Sequence, residues 1–183
     1  MSSSSEFLKY VPIFSELPDS TIDTISEAGS RRYYKRETVV LLEEDAGSAL
    51  FIIVEGKVKV SRTSTDGREV ILSILADSDF FGEMAILDGQ ARSATVTAIE
   101  DTELFIIQRA QFLDLLQTHP EIAIALLQEL TRRLRQADIK IKALSLKDAE
   151  GKVATVILQL ADDLGKIKSG IVEIEKIDRK SVV

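Results

Sequence analysis

Phe80-Phe81-Gly82-Glu83-Met84-Ala85-Ile86-Leu87-Asp88-Gly89-Gln90-Ala91-Arg92-Ser93-Ala94-Thr95-Val96 is the stretch whose reading organises the rest of the chain. It begins as an apolar strand end, breaks at Gly82, and continues with a carboxylate at Glu83 and one apolar helical turn. The Asp88-Gly89 turn follows, and Arg92-Ser93 opens a new β-branched strand. Gly82 lets backbone approach a ligand closely, and a short helical turn presents free N–H groups to an anion. Arg92 offers a planar fork of donors matched to phosphate oxygens. Ser93 adds a hydroxyl, and Glu83 can only accept, which suits the 2′-OH of a ribose. Taken singly, Glu83 and Arg92 read equally well as solvated hairpin charges, and Gly82 and Gly89 as plain turn residues. Together, an acceptor for sugar and a cation for phosphate, joined by a tight loop, make a nucleotide cradle.

The run F-G-E-M-A-I-L-D-G-Q-A-R-S-A-T-V, residues 81–96, resembles the phosphate-binding cassette of cyclic-nucleotide-binding domains in the form found in bacterial Crp–Fnr transcriptional regulators. The resemblance implies that Glu83 holds the ribose 2′-OH, that Arg92 holds the cyclic phosphate, and that Ser93 contributes its hydroxyl and N–H. The candidate ligand-contacting residues of the cassette are then Gly82, Glu83, Met84, Ala85, Arg92 and Ser93. Carboxylate, arginine and small residues falling in one register make this match more specific than a lone glycine loop.

The totals fit a globular chain with no obvious catalytic machinery. At 183 residues, 45% apolar and 29% charged, it can hold one good core and part of a second domain. No apolar run is long enough to span a bilayer, and Met1-Ser2-Ser3-Ser4-Ser5 lacks the features of a signal peptide and reads as a disordered tail. A cytoplasmic home is expected. With no cysteine, disulfides, thiolate metal sites and cysteine-ligated iron–sulfur clusters are excluded. A net charge of −7 argues against nucleic-acid binding through bulk electrostatics. The single histidine, His119, precedes Pro120 and reads as a capping or surface residue. No nucleophile–base pair stands out, so no enzyme activity, metal or cofactor is expected.

Taken in order, residues 7–17 read as short helical turns around Pro12 and Pro18, with Asp19-Ser20 capping a short helix that holds Ile22, Ile25 and Ala28. From Arg31 the period changes. Residues 38–42, 49–54 and 57–60 are β-rich runs divided by turn residues, Glu55-Gly56 is a hairpin signal, and Asp66-Gly67 is another before residues 68–72. Residues 94–98 and 103–107 follow the cassette as further strands. This spacing argues a sandwich or barrel-like roll, and A-L-F-I-I-V-E-G-K-V-K-V at residues 49–60 also resembles the family's jelly-roll strands.

Residues 109–116 read as a short helix with Phe112, Leu115 and Leu116 inward, and Pro120 opens a longer one. Along it Ala123, Leu127, Leu130, Leu134, Ala137, Ile141 and Leu144 keep a heptad spacing flanked by charges, while Ile122, Leu126 and Leu146 supply extra apolar surface. A parallel two-helix homodimer interface over residues 120–146 is expected, with a two-fold axis along the helix. The helix is similar to the family's dimerisation helix, in which two polar residues, usually Thr-Ser, reach the adenine of bound cyclic AMP. Ala137 and Asp138 occupy those positions here. Alanine cannot replace a hydroxyl, and aspartate accepts but does not donate. Cyclic AMP stays the first expectation for the ligand, with cyclic GMP, another nucleotide or a lost response left open.

Asp148 reads as the cap of a next helix carrying Val153, Val156, Ile157, Leu160, Ala161 and Leu164 and stopped by Gly165, with a strand at residues 171–174. L-K-D-A-E-G-K-V-A-T-V-I-L-Q-L-A-D-D-L-G resembles the hinge and first helix of the family's winged-helix DNA-binding domain. No helix-turn-helix pair follows, so DNA binding is expected only of a full-length protein. Residues 178–183 back-translate as GAT-CGG-AAG-AGC-GTC-GTG, a common sequencing adapter with an in-frame stop next, and are expected to be an adapter-derived tail.

The expected fold class is α+β: a cyclic-nucleotide-binding β jelly roll with N-terminal helices, a long dimerisation helix and the start of a winged-helix domain. Its expected divisions are residues 7–118, 119–146, 148–177 and 178–183. The expected function is a cyclic-nucleotide-responsive transcriptional regulator whose bound ligand reorients DNA-binding heads. Replacing Arg92 by alanine is expected nearly to abolish nucleotide binding and leave the fold intact. A regulator that keeps the cassette only as scaffold, or a nucleotide-binding module serving a separate enzyme or channel, are the alternatives.

Overall fold

The computed structural model describes residues 5–146, 165–168 and 171–174, with side chains over residues 5–142. The helix expected over residues 153–164, the hinge at Asp148 and the tail at residues 178–183 lie outside the described residues, as does Met1-Ser2-Ser3-Ser4. The chain divides into two compact units, residues 1–127 and 128–183.

The first unit is a jelly roll of two four-stranded antiparallel sheets. Its strands are β1 (Gly29–Tyr34), β2 (Val39–Leu41), β3 (Ala49–Glu55), β4 (Val58–Thr63), β5 (Glu69–Leu75), β6 (Phe80–Phe81), β7 (Thr95–Ala98) and β8 (Thr102–Gln108). One sheet has the order β1-β8-β3-β6 and the other β2-β7-β4-β5. Val58 and Val96 of the second sheet meet Ala49, Phe51, Ile53, Phe81, Leu104 and Ile106 of the first in the core between them. Alternate residues of β3 and β8 turn the other way, and there Leu50, Ile52, Phe105 and Ile107 are also buried. Helical segments cover that outer face, which is why β3 reads as an unbroken apolar run and not an alternating one. The cover comes from a 3-10 turn (Glu6–Tyr10) and from α1 (Asp19–Glu27) and α3 (Arg109–Thr118). Phe7 of the turn meets Phe105 edge-on at 5.4 Å, a geometry that adds about 1 kcal/mol to plain burial.

The structure adds one strand to the reading of the sequence and corrects two local assignments. Gly29–Tyr34 is a strand, at the edge of its sheet, paired with β8 from Gly29↔Ile107 to Tyr34↔Thr102. Its exposed polar side chains hide the alternation that marks a half-buried strand. Glu55-Gly56 is not a hairpin, because β3 and β4 belong to different sheets. Gly56, at φ +105°, carries the chain from one sheet to the other, and its N–H donates to Asp77 Oδ1 at 2.8 Å. Asp19-Ser20 do not cap α1: the cap position is Pro18, whose carbonyl accepts from the N–H groups of Thr21 and Ile22. Asp66-Gly67 does turn the β4–β5 hairpin, with Ser64 N–H donating to the Arg68 carbonyl.

After α3 comes α4 (Pro120–Leu146), 27 residues long, or about 40 Å at the α-helical rise. Its first turns belong to the first unit, where Ile122 and Leu126 are buried. In the second unit, Glu129 is buried under its own arginines, accepting from Arg132 Nε and Nη2 at 2.7 Å and Arg133 Nε at 2.9 Å. Leu134, Ile139 and Ile141 stay exposed further along. A two-stranded antiparallel hairpin, β9 (Gly165–Lys168) with β10 (Ile171–Ile174), completes the described chain, the latter on the expected strand. No helix among the described residues is long and apolar enough to cross a membrane.

Candidate functional site

The cassette lies at the exit of β6, where pairing of Phe81 with Phe51 ends the strand. Gly82 then takes a left-handed conformation at φ +89°, which turns the chain into α2 (Glu83–Asp88). A side chain is disfavoured here on two counts. The backbone conformation strains any L-residue, and a Cβ at Gly82 would sit 2.7 Å from Arg92 Nη1 and 3.0 Å from the Ala49 carbonyl. Gly89, at φ +70°, closes α2, and Asp88 Oδ1 accepts from Gln90 N–H at 2.9 Å to finish the turn.

Both charged residues of the cradle are inside. Arg92 is 4% exposed and Glu83 5%, unlike the solvated hairpin charges that each could have been alone. The Arg92 guanidinium donates from Nη1 to the Gly82 carbonyl at 2.6 Å and from Nη2 to the Ala49 carbonyl at 2.8 Å. It also lies 5.8 Å from the centre of the Phe51 ring, which is stacked on Phe81. Its Nε is buried with no hydrogen-bond partner. Burial lowers the Arg92 pKa below its ordinary value, and the carboxylate of Glu83 opposes that shift. A buried cation with an unmet donor is an arrangement that proteins rarely leave without a reason.

Ser93 is exposed, and its Oγ faces the thioether of Met84 at 3.9 Å. Met84 is itself largely exposed, whereas Ala85 is buried. Gly82, Glu83, Met84, Ala85, Arg92 and Ser93 thus lie on one turn, the short helix that follows it and the return of the chain toward β7. Ala137 and Asp138 lie exposed on α4 in the second unit.

A loop that the sequence reading passed over, residues 42–48, holds the cassette in place. Glu44 N–H donates to the Arg92 carbonyl at 2.9 Å, and Arg92 N–H donates to the Asp45 carbonyl at 2.8 Å. Ala46 bridges Ala91. Gly47 packs so close to α2 that a Cβ there would fall 2.3 Å from the Ala85 Cβ. The signal available in the sequence was Gly47 itself, set immediately before the apolar run of β3. The carbonyl of Ala49 leaves no such trace, because every residue type carries one.

Comparison with known proteins gives the family. Residues 31–119 match the family described as cyclic nucleotide-binding domain. The cyclic AMP receptor protein of Thermus thermophilus is 37% identical over 153 residues, covering 84% of this chain and 71% of that protein. A CRP-like cAMP-activated global transcriptional regulator of Mycobacterium tuberculosis is 33% identical over 169 residues, covering 92% of this chain and 75% of its own length. Among solved structures, the Thermus thermophilus catabolite activator protein superposes with a TM-score of 0.68 at 29% identity, over 90% of this chain and 93% of that one. The N-terminal domain of a transcriptional regulator from Streptomyces coelicolor A3(2) gives 0.61 at 32% identity, over 79% and 99%. The chain belongs to the family of CRP-like transcriptional regulators and carries its cyclic nucleotide-binding domain.

Proposed function

We propose that this chain is the sensor and dimerisation part of a cytoplasmic transcriptional regulator that responds to a cyclic nucleotide, with cyclic AMP first among the ligands. The observation that carries the reading is Arg92: a buried guanidinium, pinned by two backbone carbonyls, with Nε left unmet and the charge of Glu83 acting on it. A cyclic phosphate supplies the missing acceptor and neutralises the cation, while Glu83 accepts from the ribose 2′-OH. Ser93 exchanges a weak sulfur partner for a phosphate oxygen. By the family resemblance Ala137 and Asp138 occupy the base-reading positions, and an alanine and an aspartate there keep cyclic GMP a competitor.

The heptad seam of α4 pairs two copies of the chain about a two-fold axis. Ligand binding favours one of two arrangements of that helix and of the region that begins near Asp148, and so reorients DNA-binding heads of the full-length protein. Only a difference in affinity for the two arrangements can drive this. The chain acts here as a regulator and not as a catalyst.

A scaffold-only cassette is favoured by one observation, that Arg92 already has two backbone partners. Thermal shift with cyclic AMP and cyclic GMP separates the readings. A ligand present at one hundred times its Kd stabilises by about 2.7 kcal/mol, which a melting curve resolves easily. No shift with either nucleotide, and no heat on calorimetric titration, would reject the sensor reading.

A further inference from the structure

Very few atoms of this chain can react with an oxidant, and one of them stands in the cassette. The sequence has no cysteine and no tryptophan, and its two methionines are Met1 and Met84. Met1 lies outside the described residues. Met84 is the second residue of α2 and is 52% exposed, whereas Glu83 and Ala85 on either side of it are buried. Its thioether faces the Oγ of Ser93 at 3.9 Å. A thioether is a weak acceptor, so it holds that hydroxyl loosely and leaves it available to a stronger one. An oxidisable sulfur open to water thus lies against the hydroxyl that the proposed function assigns to the phosphate.

We infer that Met84 is an oxidation site that tunes the cradle: its sulfoxide captures the Ser93 hydroxyl and weakens the hold on the ligand's phosphate. The inference rests on the proposed nucleotide reading of the cassette. A hydroperoxide transfers one oxygen to the sulfur. The O–O bond breaks, an S–O bond forms, sulfur gives up two electrons, and the peroxide leaves as water or an alcohol. The product replaces a weak acceptor by a polar oxygen, on a side chain flexible enough to aim it at Ser93. Ser93 has a single O–H to donate. Once the sulfoxide oxygen takes it, the hydroxyl offers a phosphate only lone pairs, and the ligand loses one hydrogen bond, worth about fivefold in affinity. Because Met84 is exposed, the added oxygen is met by water and the fold survives it. The change reverses when a dithiol supplies two electrons and two protons, becoming a disulfide while the oxygen leaves as water, the chemistry of the methionine sulfoxide reductases.

The test is calorimetric titration of the purified chain with cyclic AMP before and after mild treatment with hydrogen peroxide, with oxidation at Met1 and Met84 read by peptide mass spectrometry. The wild type should lose affinity about fivefold once Met84 is oxidised. Its ligand-free melting temperature should hold, and a sulfoxide reductase with a dithiol should restore binding. Met84→Leu leaves only Met1 to oxidise, so its affinity should be the same before and after treatment. Ser93→Ala has no hydroxyl to capture, and its affinity should change less than about twofold on oxidation. Met84→Gln carries a strong acceptor permanently and should bind about fivefold more weakly than Met84→Leu without any peroxide. A wild type that keeps its affinity when Met84 is fully oxidised overturns the inference, as does one that unfolds on oxidation. So does a Met84 that resists a dose which oxidises Met1, or a Ser93→Ala variant that loses as much as the wild type. A wild type that binds neither cyclic AMP nor cyclic GMP before treatment overturns the nucleotide reading itself, and this inference with it.

Discussion

Arg92 and Gly82 depend on each other: the guanidinium donates to the Gly82 carbonyl at 2.6 Å, and only the missing side chain at Gly82 leaves room for it. Gly82→Ala should therefore harm fold and site together. The left-handed backbone would strain any side chain, and the new methyl would displace Nη1 or the Ala49 carbonyl, for a total of about 3 kcal/mol. Gly89→Ala is the matched control. It has a similar backbone conformation at φ +70°, yet nothing lies within 4 Å of its would-be Cβ, so only about 1 kcal/mol should be lost. Urea unfolding measures both, and cyclic AMP titration should show weakened binding for Gly82→Ala alone. Equal losses in the two variants would mean that Arg92 does not need the space.

Arg92→Ala should lower cyclic nucleotide affinity by at least about 100-fold, the loss usual when one partner of a buried charged contact is removed. The sequence alone gave reason to expect an intact fold after this change. The structure argues otherwise, because the side chain ties the carbonyls of Gly82 and Ala49, on two separate segments. A stability loss of about 2 kcal/mol should accompany the loss of binding. Ser93→Ala removes an exposed hydroxyl whose only partner among the described residues is the Met84 thioether. It should weaken the ligand by about 1 kcal/mol and leave the unfolding midpoint where it was. Calorimetry paired with denaturation distinguishes the two effects, and unchanged affinity in Arg92→Ala would remove the cradle assignment.

These contrasts show what the sequence disclosed. The cassette was legible because carboxylate, glycine, arginine and serine sit within a dozen residues, so local register is enough to join them. The clamp from residues 42–48 was not, because its hydrogen bonds to Arg92 use main-chain groups of Glu44 and Asp45 and carry no residue-type signature. Glu55-Gly56 misled for a related reason. A dipeptide reports a sharp turn, but whether the strands on either side pair depends on partners far along the chain. Here β3 pairs with β8 and β6, while β4 pairs with β5 and β7. The edge strand Gly29–Tyr34 escaped notice because its side chains are mostly exposed. The buried state of Arg92 and Glu83 belongs to the same class, since burial is decided by what folds over a residue.

Glu129 makes stability depend on acid. The hydrogen bond from Arg132 holds its carboxyl below the usual glutamate range, with Arg133 adding to it and burial opposing. A carboxyl depressed in the folded state stabilises at pH values above its unfolded pKa, near 4.3. That contribution is lost as pH falls through the folded value. Glu129→Gln should therefore cost about 1 kcal/mol at pH 7, and the gap between variant and wild type should shrink steadily below about pH 4. Melting temperatures across pH 3 to 7 would show the convergence, whereas parallel curves would mean that the ion pair contributes nothing.

The exposed stripe on α4 gives the clearest prediction for assembly. Leu127, Leu134 and Ile141 are 64%, 63% and 61% exposed at seven-residue spacing, and Leu130 and Ala137 fall between them in the alternating positions of a heptad. A helix of 27 residues offers nearly four such repeats, enough for a two-stranded coil. The wild-type chain should therefore run as a dimer on light scattering at micromolar concentration. The variant Leu134→Glu, Ile141→Glu places like charges against each other in the seam. Its dimer dissociation constant should rise by at least about 100-fold, equivalent to about 2.7 kcal/mol. The roll should be untouched, because both positions lie in the second unit and Arg92 and its partners lie in the first. Monomeric variant with cyclic AMP still bound would tie the stripe to pairing alone. A wild type that stays monomeric at these concentrations would reject the coil.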